Sequence, residues 1–530
     1  MGDAAPRRRR SVGGAVAVGT GILLSRVAGL VRERAMAYYL GNAPAAGALR
    51  AALRIPNLLQ NLLGEGVLSA SFVPVYARLL AEGRVDDARR VARVVGTLLA
   101  MVASLAAVVG IAFAGPLVDA LAPGFEGPVR ALTVDLVRIL FPGTALLVMS
   151  AWCLGVLSGH RRFFMSYAAP VLWNVAIIAA AVAAGAAAVG KPDVATWLAW
   201  GALVGSGLQL AVQLPSVVWL LGGARPTLAV RDDGVRATLR AFGPVLLGRG
   251  SVQVSSYLDQ VLASYLGPVM VAAMGYAQIL FLLPISLFGM AISAAELPEM
   301  ASITGGADAI AVGLRQRLAS SLRRVTFLVV PSAVALATIG GPIVALLFQT
   351  GAFGARDTEV VWLLLAGSAL GLLPSTLGRL LASAFYALGD ARPPLHAALI
   401  RVVITFVTGW AAVLPLREQL GYSPAWGAFG LMLSWGIAAW IEFALLRRWL
   451  AAKIGAVPVP WRLAVGTSGA AALAGGAGAG AALVATNLGG PAWLPAAVAV
   501  PSFGVVYLGL SLLGGVDEAR ALWRRVRRRA

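Results

Sequence analysis

Residues 25 to 41 read SRVAGLVRERAMAYYLG and set Arg26, Arg32, Glu33 and Arg34 within an otherwise apolar run. A guanidinium keeps its charge at any physiological pH, and its planar fork matches a phosphate or a carboxylate. Near mid-bilayer such a charge costs about 3 kcal/mol or more, so it faces a watery cavity or a partner. Three cations against one anion leave positive charge over, and the chemistry that suits is capture of an anion. Arg50, Arg54, Arg138, Arg249, Arg379 and Arg401 also fall inside apolar stretches. Snorkelling to the membrane surface accounts for Arg379 and Arg401, but not for Arg26 and Arg32 beside Glu33.

Bond-breaking chemistry has little to work with. One cysteine (Cys153) and two histidines (His160 and His396) allow neither a disulfide framework nor a Cys/His metal cluster. No phosphate-cradling Gly-Lys loop, metalloprotease helix or nucleophile elbow occurs. No polar stretch is long enough to fold as a soluble catalytic domain, so the chain is not expected to be an enzyme.

The elements that must hold these arginines are membrane helices. Of 530 residues, 59% are hydrophobic and 12% charged, and the mean hydropathy is +0.83; soluble domains carry roughly 25% charged residues. Spans are predicted at 12–40, 44–77, 91–114, 131–157, 167–189, 194–221, 239–266, 270–300, 318–348, 358–388, 393–415, 424–446, 461–486 and 491–514. The first, second and eighth are long enough to be broken, and Pro56, Pro284 and Pro298 mark breaks in the latter two. The first follows RRRR like a signal peptide, but its apolar part is too long and lacks a cleavage site. It is expected to be retained.

With the N-terminus inside, the segments on the inner side hold thirty Lys and Arg and the outer loops four. That bias predicts both termini in the cytoplasm and accounts for most of the formal charge of +20. Scattered over eight segments, these charges fit attraction to anionic membrane lipids rather than nucleic-acid binding.

The chain also repeats itself. ERAMAYYLG (33–41) answers DQVLASYLG (259–267), SASFVP (69–74) answers SAAELP (293–298), GPLVDALAPGF (115–125) answers GPIVALLFQTGAF (341–353), and GHRR (159–162) answers GDAR (389–392). Six spans separate the copies, so both insert the same way. The expected architecture is all-α, with fourteen transmembrane helices: two parallel six-helix lobes around a central cavity, plus two C-terminal helices. The lobes would be residues 1–222 and 223–452, and residues 453–530 would hold the last two spans and a basic tail. Such repeats are the build of an alternating-access transporter.

SRVAGLVRE, IPNLL with GEGVLSASFVPVY, and FYALGDARPP resemble the MurJ (MviN) family of lipid II flippases, within the multidrug/oligosaccharidyl-lipid/polysaccharide exporter superfamily. The resemblance covers spans 1 to 12 in register. It implies a cationic cavity and, as substrate, an undecaprenyl-pyrophosphate-linked sugar-peptide lipid of the bacterial cytoplasmic membrane, with cell-wall synthesis proteins as candidate partners. Arg26 and Arg32 match the family's first-helix arginines, Glu33 its acidic residue, Glu65 its AEG glutamate and Asn174 a cavity asparagine. Where the family has an aspartate, an arginine pair and a cavity arginine, this chain has Gly47, Gln60 with Asn61, and Gln278. Arg50 and Arg54 are extra, and Arg50 is the repeat mate of Gln278, which suggests a cationic group moved between lobes; a shifted substrate is the competing explanation.

Asp259 and Asp390 fall where some family members hold Na⁺, with Thr405 as a further oxygen donor; the equal alternative pairs Asp259 with Arg249 or Arg401. Glu296 and Glu299 are expected as solvated acids. The glycine-rich AALAGGAGAGAA (470–482) suits close helix packing or a lipid-tail groove, and Trp152, Trp173, Trp197, Trp200 and Trp493 suit interface anchors. Lipid II flipping driven by rocking lobes and the membrane potential is the expected function. A flippase for another undecaprenyl-linked glycan, a cation-coupled drug antiporter and a non-transporting scaffold stay open. Since Arg26 and Arg32 lie about 120° apart around a helix, a bend at Gly29 is expected to turn both inward.

Overall fold

Inside a bilayer the backbone finds no water to bond, so a helix, which satisfies itself, is the solution for long apolar runs. A computed structural model of the chain describes the backbone of residues 5–223, 225–229, 232–489 and 491–527; side chains at 5–20, 22, 65, 163–164, 166–167, 244–256 and 525–526 lie outside it. Among the described residues every regular element is helical.

Two compact units form, residues 1–272 and 273–530. The first contains α1 (Ala5–Leu40), α2 (Pro44–Leu63), α3 (Glu65–Ala81), α4 (Val85–Ala112), α5 (Ala114–Leu121), α6 (Gly127–Gly159), α7 (Phe163–Ala186), α8 (Lys191–Leu221) and α9 (Asp233–Tyr265). Helix α10 (Pro268–Pro284) runs across the boundary. In the second unit a π-helical turn (Ile285–Met290) leads to α11 (Ala291–Ala301), α12 (Ala307–Thr338), α13 (Gly340–Phe348), α14 (Ala355–Ala369) and α15 (Leu372–Ala387). Then come α16 (Arg392–Val413), α17 (Pro415–Leu420), α18 (Pro424–Ile454), α19 (Trp461–Asn487), α20 (Leu494–Leu513) and α21 (Asp517–Arg527).

Among the described residues eleven spans are long and apolar enough to cross a membrane, and twelve if α14 and α15, bent by 44°, count as one. They coincide with predicted spans 2 to 6 and 8 to 14; the other two predicted spans fall on α1 and α9. This is a multi-pass membrane protein. The same order, a long helix followed by a short one, occurs at α4–α5 and at α12–α13, where the two GP motifs of the repeat lie.

Helix α9 packs against α3, and Ser264 Oγ accepts the Gly124 N–H at 3.1 Å, so α9 belongs to the first compact unit. The second predicted span breaks at Gly64 rather than Pro56, which stays inside α2; a Cβ at Gly64 would sit 2.2 Å from the Gln60 carbonyl oxygen. Helix α1 runs unbroken through Gly29. Pro284, by contrast, does mark a break, since the π-helical turn begins at the next residue.

Side chains from α1, α2, α6, α7 and α8 share one core, with Met36, Leu49, Phe141, Ile177 and Leu198 buried in it. A second core joins α3, α4 and α6 around Phe72, Tyr76 and Trp152. Trp152 is therefore not an interface anchor: it is buried, and its indole N–H bonds the Ala92 carbonyl at 3.0 Å. In the glycine-rich α19, Gly475 abuts Thr338 and Gly478 abuts the Ala499 carbonyl, while Gly476 and Gly480 face open space. Close packing thus occupies one side of that helix.

Candidate functional site

Helix α1 brings Glu33 onto its buried face and Arg32 to the edge of it. Glu33 has 6% of its surface exposed, and both carboxylate oxygens are taken. Arg32 Nη2 donates to Oε1 at 2.6 Å and Arg50 Nη2, from α2, donates to Oε2 at 2.8 Å. Such charge-assisted bonds are short and strong, and they let an acid sit where an unpaired carboxylate would be costly. Two cations on one anion leave a net positive charge at the cluster.

Arg32 is held from α7 as well. Its Nη1 donates to Asn174 Oδ1 at 3.1 Å, and Asn174 Nδ2 in turn bonds the Pro170 carbonyl, also at 3.1 Å, fixing the amide's direction. Its guanidinium carbon lies 4.9 Å from the centre of the Trp173 ring, a cation–π contact. Close helix approach makes this reachable: a Cβ at Gly205 on α8 would lie 2.9 Å from the Trp173 backbone. Trp173 was expected at the membrane interface; it forms the floor under Arg32 instead. Its indole N–H, Arg32 Nε and Gln260 Nε2 are buried without an acceptor among the described residues.

A second group sits between α2 and α9. Arg54 Nη1 donates to Gln260 Oε1 at 3.1 Å, and the Tyr257 hydroxyl donates to the Arg54 carbonyl at 3.0 Å. Asp259 is buried and lies within electrostatic reach of Arg54. Neither Tyr257 nor Gln260 was singled out from sequence, although Gln260 directly follows Asp259.

The remaining predicted residues distribute as follows. Arg26 and Arg34 are on the exposed face of α1. Gln278 is half-buried on α10 in the second unit. The Glu65 and Arg249 side chains fall outside the described residues. Gly47 is explained sterically, since a Cβ there would lie 1.9 Å from the Pro268 carbonyl oxygen. The aspartate expected from the resemblance has no room.

The sodium candidates do not assemble as expected. Asp390 precedes α16 and bonds Lys453 Nζ at 2.7 Å and the Arg392 N–H at 3.1 Å. Thr405 is buried on α16 thirteen residues beyond its first residue, about 20 Å at 1.5 Å per residue. One ion cannot touch both. Asp259 belongs to the first unit. Arg401 pairs with Glu442 at 2.9 Å. Glu296 and Glu299 are not merely solvated, because Arg317 bridges them at 3.1 and 2.8 Å.

A family model described as "Lipid II flippase MurJ" matches residues 36–500. The lipid II flippase MurJ of Burkholderia cenocepacia is 35% identical over 431 residues, covering 80% of each chain. The probable lipid II flippase MurJ of Rhizobium tropici is 30% identical over 435 residues, covering 81% of this chain and 78% of its own. Among solved structures, "Lipid II flippase MurJ, inward closed conformation" superposes with a TM-score of 0.76 at 20% identity, covering 95% of this chain and 99% of that one. An inward-facing MATE multidrug transporter of the MOP superfamily matches with a TM-score of 0.61 at 17% identity, covering 83% and 98%. The fold is shared with that transporter, and the sequence match is more specific: this chain belongs to the MurJ family of lipid II flippases.

Proposed function

We propose that the chain carries lipid II, an undecaprenyl-pyrophosphate-linked sugar-peptide, from the inner to the outer leaflet of the bacterial cytoplasmic membrane. The observation that carries this reading is the buried Arg32–Glu33–Arg50 cluster. It holds one positive charge in excess, and Arg32 Nε and Trp173 Nε1 beside it still have N–H groups to give. Pyrophosphate oxygens are the acceptors such a set suits. Glu33 holds both arginines in position until the pyrophosphate competes for them, so the cluster is pre-organised rather than assembled on binding. Arg54, Arg26 and Gln278 would add contacts along the route.

In this reading fourteen spans with both termini in the cytoplasm form two six-helix lobes that expose the site alternately. No covalent step is required. The membrane potential would favour return of the empty cationic site, since moving one charge through 100 mV is worth about 2.3 kcal/mol. Cation antiport, the function of some fold neighbours, is less well supported, because Glu33 is taken up by two arginines and Asp259 lies near Arg54. A coupling sodium ion would have to meet Asp259 without the Asp390–Thr405 pair.

Complementation of a bacterium depleted of its own lipid II flippase tests the reading. The wild-type chain should restore growth and Arg32→Ala should not, at equal protein level. If Arg32→Ala complements while Asp259→Ala fails, anion capture is wrong and cation antiport replaces it.

A further inference from the structure

Beyond the last membrane span the chain forms one more helix, α21, which lies past residue 500, where the family match ends. Three residues separate Leu513, the end of α20, from Asp517, four steps or about 14 Å of chain at most. Gly515 takes the left-handed conformation (φ +72°) that turns the chain sharply. Helix α21 therefore begins within reach of the membrane surface at which α20 ends.

Of its two acids, Glu518 turns inward and Asp517 stays exposed. Arg323 on α12 donates to both carboxylate oxygens of Glu518, at 2.7 and 3.2 Å, and lies 3.8 Å from Asp517. Ala519 is 1% exposed and packs with Phe327 and Tyr507. That contact fixes which side of α21 faces the protein. Adjacent to it, Leu522 and Trp523 are 39% and 56% exposed, about 60° and 40° around the helix from Ala519 on its two sides. Arg520, Arg524 and Arg527 are also exposed and lie on one further arc. From Asp517 to the C-terminus there are six arginines against these two acids.

A Trp–Leu pair next to an arginine arc, on a helix clamped at the end of a membrane span, is the build of an interfacial helix. We infer that α21 lies in the headgroup layer of the leaflet at which α20 ends, with Leu522 and Trp523 at the acyl boundary and its arginines on anionic phospholipid phosphates. The Glu518 carboxylate being spent on Arg323 leaves the six arginines of this segment, against the one further acid Asp517, to respond to lipid charge. Arg323 sits on a membrane span, so occupancy of α21 by anionic lipid is mechanically connected to α12.

The test uses the full-length protein in nanodiscs. Cys153 is the only cysteine and is buried, so Cys153→Ala with Leu522→Cys gives one site for an environment-sensitive fluorophore. In phosphatidylcholine mixed with phosphatidylglycerol the label should be blue-shifted and protected from an aqueous quencher. In phosphatidylcholine alone, or at high salt, protection should fall, and Arg520→Gln with Arg524→Gln should abolish the difference between lipids. Trp523→Cys provides a second label position should Leu522→Cys disturb folding. Equal protection in both lipids would mean that the protein itself covers this face, and equal exposure that the helix lies in water off the membrane; either overturns the inference.

Discussion

Arg50 Nη2 and Glu33 Oε2 lie 2.8 Å apart and tie α2 to α1 through a carboxylate that Arg32 grips from the other side. Because Glu33 is buried and doubly bonded, its removal is not neutral. Glu33→Gln leaves two guanidiniums facing each other across an uncharged amide. Arg50→Gln leaves a buried carboxylate with one partner, a loss of about 3–5 kcal/mol for a buried pair. The double variant Glu33→Gln/Arg50→Gln should be less destabilised than the sum of the singles by about 1–3 kcal/mol. Thermal unfolding of the four proteins in detergent checks this, and strict additivity would show that the pair is not coupled.

Transport should depend on the shape of Arg32 as well as its charge. Its guanidinium touches Glu33, Asn174 and the face of Trp173 together, which a lysine ammonium cannot reproduce. Arg32→Lys is expected to lower lipid transport at unchanged protein level. Trp173→Phe, which keeps the ring and loses the indole N–H, should impair it less than Trp173→Ala. Flipping assayed with a fluorescent lipid II in proteoliposomes would rank the three, and wild-type rates for Arg32→Lys would count against bidentate capture.

Restoring the family's residue should do harm at Gly47. The space there belongs to the Pro268 carbonyl, so Gly47→Asp would force α2 away from the start of α10. Overpacking by a single methyl costs about 1–3 kcal/mol, and the carboxylate adds burial of charge. Gly47→Ala should lower the unfolding temperature and Gly47→Asp should lower it further or abolish membrane accumulation.

Much of this arrangement was legible in the sequence, for particular reasons. An arginine in an apolar run is conspicuous because it is costly, so Arg32, Glu33 and Arg50 stood out, and Asn174 followed from the resemblance. Trp173 did not stand out, because a tryptophan is equally at home at a membrane interface and under a guanidinium, and only the Gly205 approach decides between them. Asp390 and Thr405 were joined by analogy, although their separation follows from helix rise along the span already predicted at 393–415. Helix α1 runs unbroken through Gly29, and from it Arg32 reaches its own neighbour Glu33, a contact between adjacent residues that helical phase alone does not suggest.

Asp390 supplies the pH prediction. The Lys453 ammonium, and then the Arg392 N–H, hold its carboxyl below the usual carboxylate range. A folded value below the unfolded one means that the ionised form contributes stability above the unfolded value, about 3.9, and that this is lost as pH falls through the folded value. Asp390→Asn removes the contribution at every pH. The unfolding temperature of the wild type should therefore exceed that of Asp390→Asn at neutral pH, and the gap should close below about pH 4. Replacing K⁺ by Na⁺ in the buffer should leave the gap unchanged, because Lys453 already occupies this carboxylate and Thr405 is too distant to share an ion with it. A gap that widens specifically in Na⁺ would return Asp390 to the set of cation ligands.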